Sequence, residues 1–464
     1  MIRKLPEEFV KKTKILLGNS FENYLNYFND ENKTFVRPNF IKVTENDFLN
    51  IFKDKISNRI KWETGFLVKD KKFFSKTPYY HTGIYYIQEA SSMLPVALLD
   101  PKPGEIILDA CASPGSKTTQ IAGRMLNRGV IVANEVKHSR TGRLLENISR
   151  AGIKNCIVTS SDLSKFYFAE GLFDKILVDA PCSGEGMFKR DDDAIKAWSP
   201  NLVRMLSGIQ KQILKNIAPL LKVGGTLVYS TCTMSVEENE ENIDWFIKNF
   251  PFKLEDVMYG VSGFTSFQDK VFSEEIKKTK RIFPFNEMGD PFFVAKMIKI
   301  GNDRNVADNR SRVSYSNKVS KKQDSKKLFE MFENIGIRLR KNMDILTLWN
   351  NIYDVSNIDI SLLNKFLDNR IKIIYSGVKL GENKKNRVEP DYSLAMSIMP
   401  DEIDKYNSVE LNDEYAIKYL RGEILDIKLE KGYYIVTYKN YPIGWLKYSD
   451  TMKNLFPHYI RGKI

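Results

Sequence analysis

The sequence predicts an α/β fold: a doubly wound parallel sheet, preceded by a small α+β region and followed by a small mixed-β module. The first observation is a series of short apolar runs separated by helical stretches: EIILDA (105–110), VIVANE (130–135), CIVTSSD (156–162), FDKILVDAP (173–181) and TLVYSTCT (226–233). Continuous apolar strands joined by helices imply a parallel sheet buried on both faces. The second is the pair of helix starts among them. Ser199 at N-cap and Pro200 at N1 open LVRMLSGIQKQILKNIAPLL, and Ser235-Val-Glu-Glu238 reads as a capping box opening EENEENIDWFIKNF. The third is bulk. Of 464 residues 42% are apolar, which excludes disorder of the whole chain, and at roughly 150 residues per domain the length suggests about three domains.

In chain order, residues 1–95 mix short helical and strand-like patterns with many aromatics, among them FFSKTPYYHTGIYY. Residues 96–300 carry the strand–helix alternation. Residues 301–327 hold eight Lys/Arg against three Asp and few large apolar residues, the composition of a basic linker that is either simply solvated or also touches phosphates. In residues 328–464, the stretch to about 370 looks helical. RIKIIYSGVKLGE then reads as strand and GYYIVTYKNYPIGWLKY as a hairpin, so a small mixed-β module ends the chain.

Lys and Arg total 71 against 58 Asp and Glu, a net charge of +13, which favours an acidic partner with nucleic acid first. Three His leave little room for a His-based metal site or a Ser-His triad, and four Cys are too sparse for a disulfide framework. No metal is expected. The start, MIRKLPEEFVKKTK, lacks an apolar stretch, and no run approaches the ~18 apolar residues of a membrane span. These counts predict a soluble cytoplasmic protein in a reducing compartment, with a monomer as the default.

Ligands of open parallel sheets sit at the carboxyl ends of the strands. The first strand ends in Asp109-Ala-Cys-Ala-Ser-Pro-Gly-Ser-Lys-Thr118, just before the helix TTQIAGRML. Cys111, Ala112, Ser113, Pro114, Gly115, Ser116 and Lys117 thus form a turn whose amides and single glycine allow close approach of a ligand. With one glycine the dinucleotide fingerprint is absent, and GSKT fits a P-loop poorly, so a ligand without a pyrophosphate is expected. Glu135 ends the second strand, 20 residues after Gly115, where an acid suits ribose hydroxyls. Asp162 ends the third, where a carboxylate accepts from an adenine amine. Each acid alone could equally be a helix N-cap. Together, with Arg140 counted in the same set, they describe an adenosine site with a short polar tail, which points to S-adenosyl-L-methionine.

The fourth strand ends Asp179-Ala-Pro-Cys-Ser-Gly-Glu-Gly186 and the fifth Ser230-Thr-Cys-Thr233, which puts Cys182 and Cys232 at the same end of the sheet if the strands are neighbours. Taken singly, each could be a buried structural cysteine. Zinc is disfavoured because no CxxC or Cys/His spacing exists.

DACASPGSKT, DAPCSGEGMFKRD and YSTCTMSVEENE resemble the RNA 5-methylcytosine methyltransferases of the Nop/Sun family, most closely its bacterial 16S ribosomal RNA enzymes of the RsmF/YebU type. GIYYIQEASSMLP (83–95) and RIFPFNEMGDPFFVAKM (281–297) extend the likeness, and KYLRGEIL with GYYIVTYKNYPIGWLKY is similar to a PUA-like end. The resemblance implies a Rossmann-like class I methyltransferase core between RNA-binding regions, acting on a cytosine of the decoding region with the small ribosomal subunit as partner. It departs at Phe285, where the family often has His, at Asp290-Pro-Phe, and in VRPNFIKV (36–43).

Cytosine C5 is too weak a nucleophile to attack a sulfonium methyl unaided. A thiolate added at C6 turns the ring into an enamine, and this covalent route requires an activated Cys. The resemblance implies Cys232 as that nucleophile, Cys182 as the group that helps expel the enzyme, and Asp179 as a hydrogen-bond partner of the base at N3 and N4. Lys117 is expected near the methionine end or the base, or simply at a helix start. The target must be single-stranded or flipped out, and KDKKFFSKTPYYH (69–81) is either an aromatic RNA contact or part of a core. The same chemistry on transfer RNA or another ribosomal site, and a non-catalytic RNA-binding assembly factor on a methylase fold, are the alternatives; a P-loop hydrolase would need the missing GxxxxGK[ST].

Overall fold

All five apolar runs become strands of one ten-stranded sheet, seen in a computed structural model that describes residues 5–302, 325–340, 342–384 and 387–461. They are β1 (Ile106–Asp109), β2 (Val130–Asn134), β3 (Cys156–Thr159), β4 (Phe173–Asp179) and β5 (Leu221–Thr231). Their order is 3-2-1-4-5 and every pairing among them is parallel. The strand order therefore reverses between β1 and β4, and such a switch point opens a crevice beyond the carboxyl ends. Every residue of β2 and of β3 is buried, which is why their sequences run apolar without alternation. An antiparallel strand, β6 (Phe292–Lys299), lies against β5 with Phe293 opposite Thr231.

Helices α1 (Ala90–Leu99), α2 (Ser116–Met125), α3 (Thr141–Arg150), α4 (Pro200–Ile217) and α5 (Glu240–Asn249) add side chains to the same continuous apolar core. The start of α4 is as predicted: Ser199 Oγ accepts from the Leu202 amide at 3.1 Å, with Pro200 in the first turn. The capping box at Ser235 is not. α5 begins at Glu240, because Ser235 Oγ is donated to Glu185 and the Glu238 carboxylate accepts from Ser183 and Gln210. Two buried loops recruit the residues that local pattern assigned to a helix end.

Before the central sheet, Phe35–Pro38 pairs with Phe66–Val68 and Tyr85–Ile87, and Ile56–Arg59 completes four antiparallel strands. The aromatic stretch at 69–81 belongs to the core of this region. Phe74 is buried against Phe52 and Tyr85, Tyr79 packs on Tyr438 with centroids 5.1 Å apart, and His81 packs on Phe456. These rings join the first and last parts of the chain instead of presenting an open stacking surface.

Residues 303–324, the bulk of the basic stretch, lie outside the described residues. The stretch from 328 to 370 is less helical than its composition suggests. Between helices Ser325–Glu333 and Ile360–Asp368 runs a hairpin, Ile345–Leu348 with Asn351–Asp354, whose Ile345, Leu346, Ile352 and Tyr353 are buried. Four-residue strands are too short for a two-residue period to stand out. Ile373–Ser376 then pairs antiparallel with β3, so the tail covers an edge of the central sheet that would otherwise be open. Phe366 packs against Phe166 and Phe168 below it. The predicted hairpin forms from Gly432–Tyr438 and Tyr441–Tyr448, turning at Lys439 and Asn440, both at positive φ.

Candidate active site at the strand carboxyl ends

Asp109 closes β1 fully buried, with one carboxylate oxygen accepting from Thr118 Oγ1 at 2.6 Å and the other without a partner among the described residues. Burial, with the Asp179 charge adding to it, pushes this carboxyl up to about 7. The turn that follows is cross-braced. Ser113 Oγ donates to the Arg140 carbonyl at 2.9 Å, and Arg140 Nη2 donates back to the Ser113 carbonyl at 3.2 Å. Gly115 is the N-cap of α2 at φ 104°, where an L side chain is strained, and a Cβ there would sit 3.0 Å from Leu144 Cδ1. Cys111 lies in this turn with its thiol held well above the ordinary range by burial and by the carboxylates of Asp109, Asp179 and Glu135. It is the least reactive kind of cysteine.

Glu135 is buried just past β2, accepting from the Lys137 amide at 2.9 Å and paired with Arg140 at 3.4 Å. Glu135, Arg140 and Ser113 therefore form one connected group. Asp162 behaves differently: it is exposed and caps the short helix Leu163–Ala169, accepting from the Ser164 amide at 2.8 Å. That cap is one of the two roles its strand-end position allowed.

The other half of the crevice lies between β4 and β5. Asp179 pairs in register with Ser230, whose hydroxyl donates to it at 2.8 Å, and Lys117 Nζ donates to its second oxygen at 2.6 Å. Lys117 is buried and also reaches Ser92 Oγ at 3.0 Å. With an ammonium on one oxygen and a hydroxyl on the other, Asp179 serves as an acceptor. The two thiols meet beside it: Cys182 Sγ and Cys232 Sγ are 3.2 Å apart and hydrogen-bonded. That bond, reinforced by burial, pushes the Cys182 thiol well up, and either sulfur can be the donor in it.

The loops carrying the thiols are locked together from below. Gly186 N donates to the Cys232 carbonyl at 2.7 Å, so close that a Cβ at Gly186 would lie 2.7 Å from that same oxygen. Ser183 and Thr233 share a hydroxyl hydrogen bond of 2.7 Å. Glu185 accepts from Trp198 Nε1, Ser235 Oγ and the Met234 amide. Ser92, Asn147, Glu185, Ser230 and Glu238 were not singled out from sequence as site residues. Ser230 had a signal, since it sits at the end of the same apolar run, two residues before Cys232. Asn147, which holds the Pro114 carbonyl at 2.9 Å, had none. Among the described residues, no three His, Cys, Asp or Glu side chains are grouped to hold a metal ion, and no helix is long and apolar enough to cross a membrane.

The model of the family described as 16S rRNA methyltransferase RsmB/F matches residues 96–298. Models of the RsmF N-terminal domain, its first C-terminal domain and its PUA domain match residues 5–90, 367–398 and 406–461. Ribosomal RNA small subunit methyltransferase F of Vibrio vulnificus (strain YJ016) is 32% identical over 470 residues, covering 98% of this chain and 97% of that protein. The chain belongs to the ribosomal RNA small subunit methyltransferase F family. A relative of the same name from Escherichia coli O9:H4 (strain HS) is also 32% identical, over 94% of this chain and 92% of its own. Among solved structures, a methyltransferase homolog protein from Pyrococcus horikoshii is 36% identical with a TM-score of 0.57, covering 63% of this chain and 95% of that one. NSun6 from the same organism shares the fold at TM-score 0.55 and 22% identity, over 65% of this chain and all of its own. The small subunit methyltransferase F family thus accounts for the Rossmann-like core, the N-terminal domain and the PUA-like end.

Proposed function

We propose that the chain methylates C5 of a cytosine in the decoding region of 16S ribosomal RNA, taking the methyl group from S-adenosyl-L-methionine and passing through a covalent adduct between Cys232 and C6. The observation that carries this reading is the thiol pair, 3.2 Å apart at the ends of adjacent strands and next to Asp179. An assembly factor on a methylase fold has no use for two such thiols.

The residues present fit the cofactor. Residues 111–117 offer a turn with a glycine at the helix start, Glu135 a buried carboxylate for ribose hydroxyls, Arg140 a brace on that carboxylate, and Asp162 an acceptor for the adenine amine. Bound there, S-adenosyl-L-methionine supplies an electrophilic methyl group. The protein's own part is the base. Asp179, oriented by Lys117 and Ser230, accepts from the cytosine amine. Cys232 adds to C6 and makes C5 nucleophilic. After methylation the C5 proton must leave as the C6–S bond breaks. Cys182 gives its proton to the departing Cys232 sulfur and takes the C5 proton in exchange, so both sulfurs end as thiols, and the one proton the overall reaction releases is the one Cys232 loses to solvent before it adds to C6.

The regions at 1–95 and 328–464 are assigned to RNA binding, with 301–327 as a basic connector and ribosomal RNA or the small subunit as partner. Bisulfite sequencing of ribosomal RNA from cells lacking this protein tests the assignment. One decoding-region cytosine or more should lose protection, and an unchanged 16S pattern would exclude this substrate.

A further inference from the structure

Beneath the thiol pair lies a carboxyl group that neither the cofactor nor the base requires. Glu238 is fully buried. Its Oε2 accepts from the Ser183 amide at 3.1 Å, next to Cys182, and from Gln210 Nε2 at 2.7 Å. Its Oε1 has no partner among the described residues. Its own backbone carbonyl accepts from Tyr229 Oη at 2.7 Å, which fixes it to β5 three residues before Cys232. An unsatisfied buried carboxyl oxygen costs stability on the order of 1–3 kcal/mol, and an apolar residue would avoid that cost. A helix cap would have explained the residue, but α5 starts beyond it.

We propose that Glu238 is a positioning residue for the thiol pair: through the Ser183 amide it holds the Cys182 loop and sets a buried carboxylate beside that thiol, where a negative charge adds to the opposition to loss of the Cys182 proton. The proposal rests on the reading of Cys232 as nucleophile. Two equivalent thiols in contact would compete for one proton, and ionisation of the wrong one would leave Cys232 protonated and inert. A carboxylate on the Cys182 side breaks the tie. The groups facing Glu238 are Cys182 and Glu185 from the loop after β4, Tyr229 from β5 and Gln210 from α4. Of these only Glu185 carries a second negative charge, and its own donors are Trp198, Ser235 and Met234. Burial, with Glu185 adding to it, holds the Glu238 carboxyl up to about 7, so its charge is present above neutral pH and fades below it.

The test is the rate of Cys182 alkylation by iodoacetamide, read by peptide mapping at low conversion in the full-length protein from pH 6 to 9. In the wild type the logarithm of that rate should rise with a slope below one through pH 7, as Glu238 ionises and opposes Cys182. Glu238→Gln keeps an acceptor for the Ser183 amide and removes the charge. Its Cys182 should react about tenfold faster at pH 8.5, equivalent to one unit in the thiol's pKa, and no faster at pH 6. A slope of one through pH 7 in the wild type would overturn the proposal even if the variant does not fold. So would equal rates in folded Glu238→Gln. Methyl transfer by Cys232→Ala separates the two claims: retained turnover removes the nucleophile reading, whereas an inactive Cys232→Ala together with unchanged Cys182 reactivity in Glu238→Gln removes only the role of Glu238.

Discussion

Lys117 began as a residue with two open roles, one at the ligand and one at a helix start, and its contacts give it a third. It is the buried cation that orients Asp179, with Ser92 holding it from α1. Sequence could not reveal this, because Lys117, Asp179 and Ser92 come from three separate stretches that only the sheet order brings together. The thiols were legible, since each ends a strand run, whereas their 3.2 Å contact depends on β4 and β5 being neighbours. Lys117→Met keeps the length of the side chain and removes the charge. It should destabilise the protein by about 1.5–3 kcal/mol in urea unfolding, the range for a charged hydrogen bond, and reduce methyl transfer at least a hundredfold with the thiols unchanged. Near-normal turnover would return Lys117 to a helix-start role.

At the scale of elements, the parallel strands were the most readable part because burial on both faces writes itself as an uninterrupted apolar run. Elements that depend on a partner distant in sequence were not readable. The strand Ile373–Ser376 looked like any tail strand, yet it completes the edge of the catalytic sheet beside β3. Arg37, in the imperfect VRPNFIKV motif, donates to Gln88, Thr119 and the Ser116 carbonyl, so the N-terminal region braces the start of α2. The turn before α2 is the element most sensitive to side-chain shape. Gly115→Val meets both the positive φ and the contact with Leu144, and such strain is on the order of 1–3 kcal/mol. Calorimetry with S-adenosyl-L-methionine should show affinity lowered at least tenfold while far-UV circular dichroism is preserved. Wild-type affinity would show that the ligand does not approach this turn.

Over the whole molecule, the net charge of +13 suits a polyanion but says nothing of which atom is attacked. Burial of carboxyls has a clearer global consequence. Glu89, Asp109 and Glu238 are each pushed up to about 7 by burial, from ordinary values of 4.5, 3.8 and 4.5. Between those ordinary values and pH 7 the folded protein therefore holds protons that the unfolded chain has released. Unfolding free energy falls as pH rises across that window. Thermal unfolding at pH 6 should occur at a higher temperature than at pH 8 at constant ionic strength. The opposite order would mean that these carboxyls are ionised in the folded protein at pH 6.

One particular sulfur, that of Cys232, is proposed to bond to the RNA, and Cys182→Ala exposes that bond most directly. Without Cys182 to exchange protons at the release step, the protein incubated with ribosomal RNA and S-adenosyl-L-methionine should accumulate an adduct stable on a denaturing gel. Mass spectrometry of the cross-linked peptide should place the RNA on Cys232, and Cys232→Ala should form no adduct. Absence of any adduct from Cys182→Ala, or an adduct mapped to Cys111, would contradict the account.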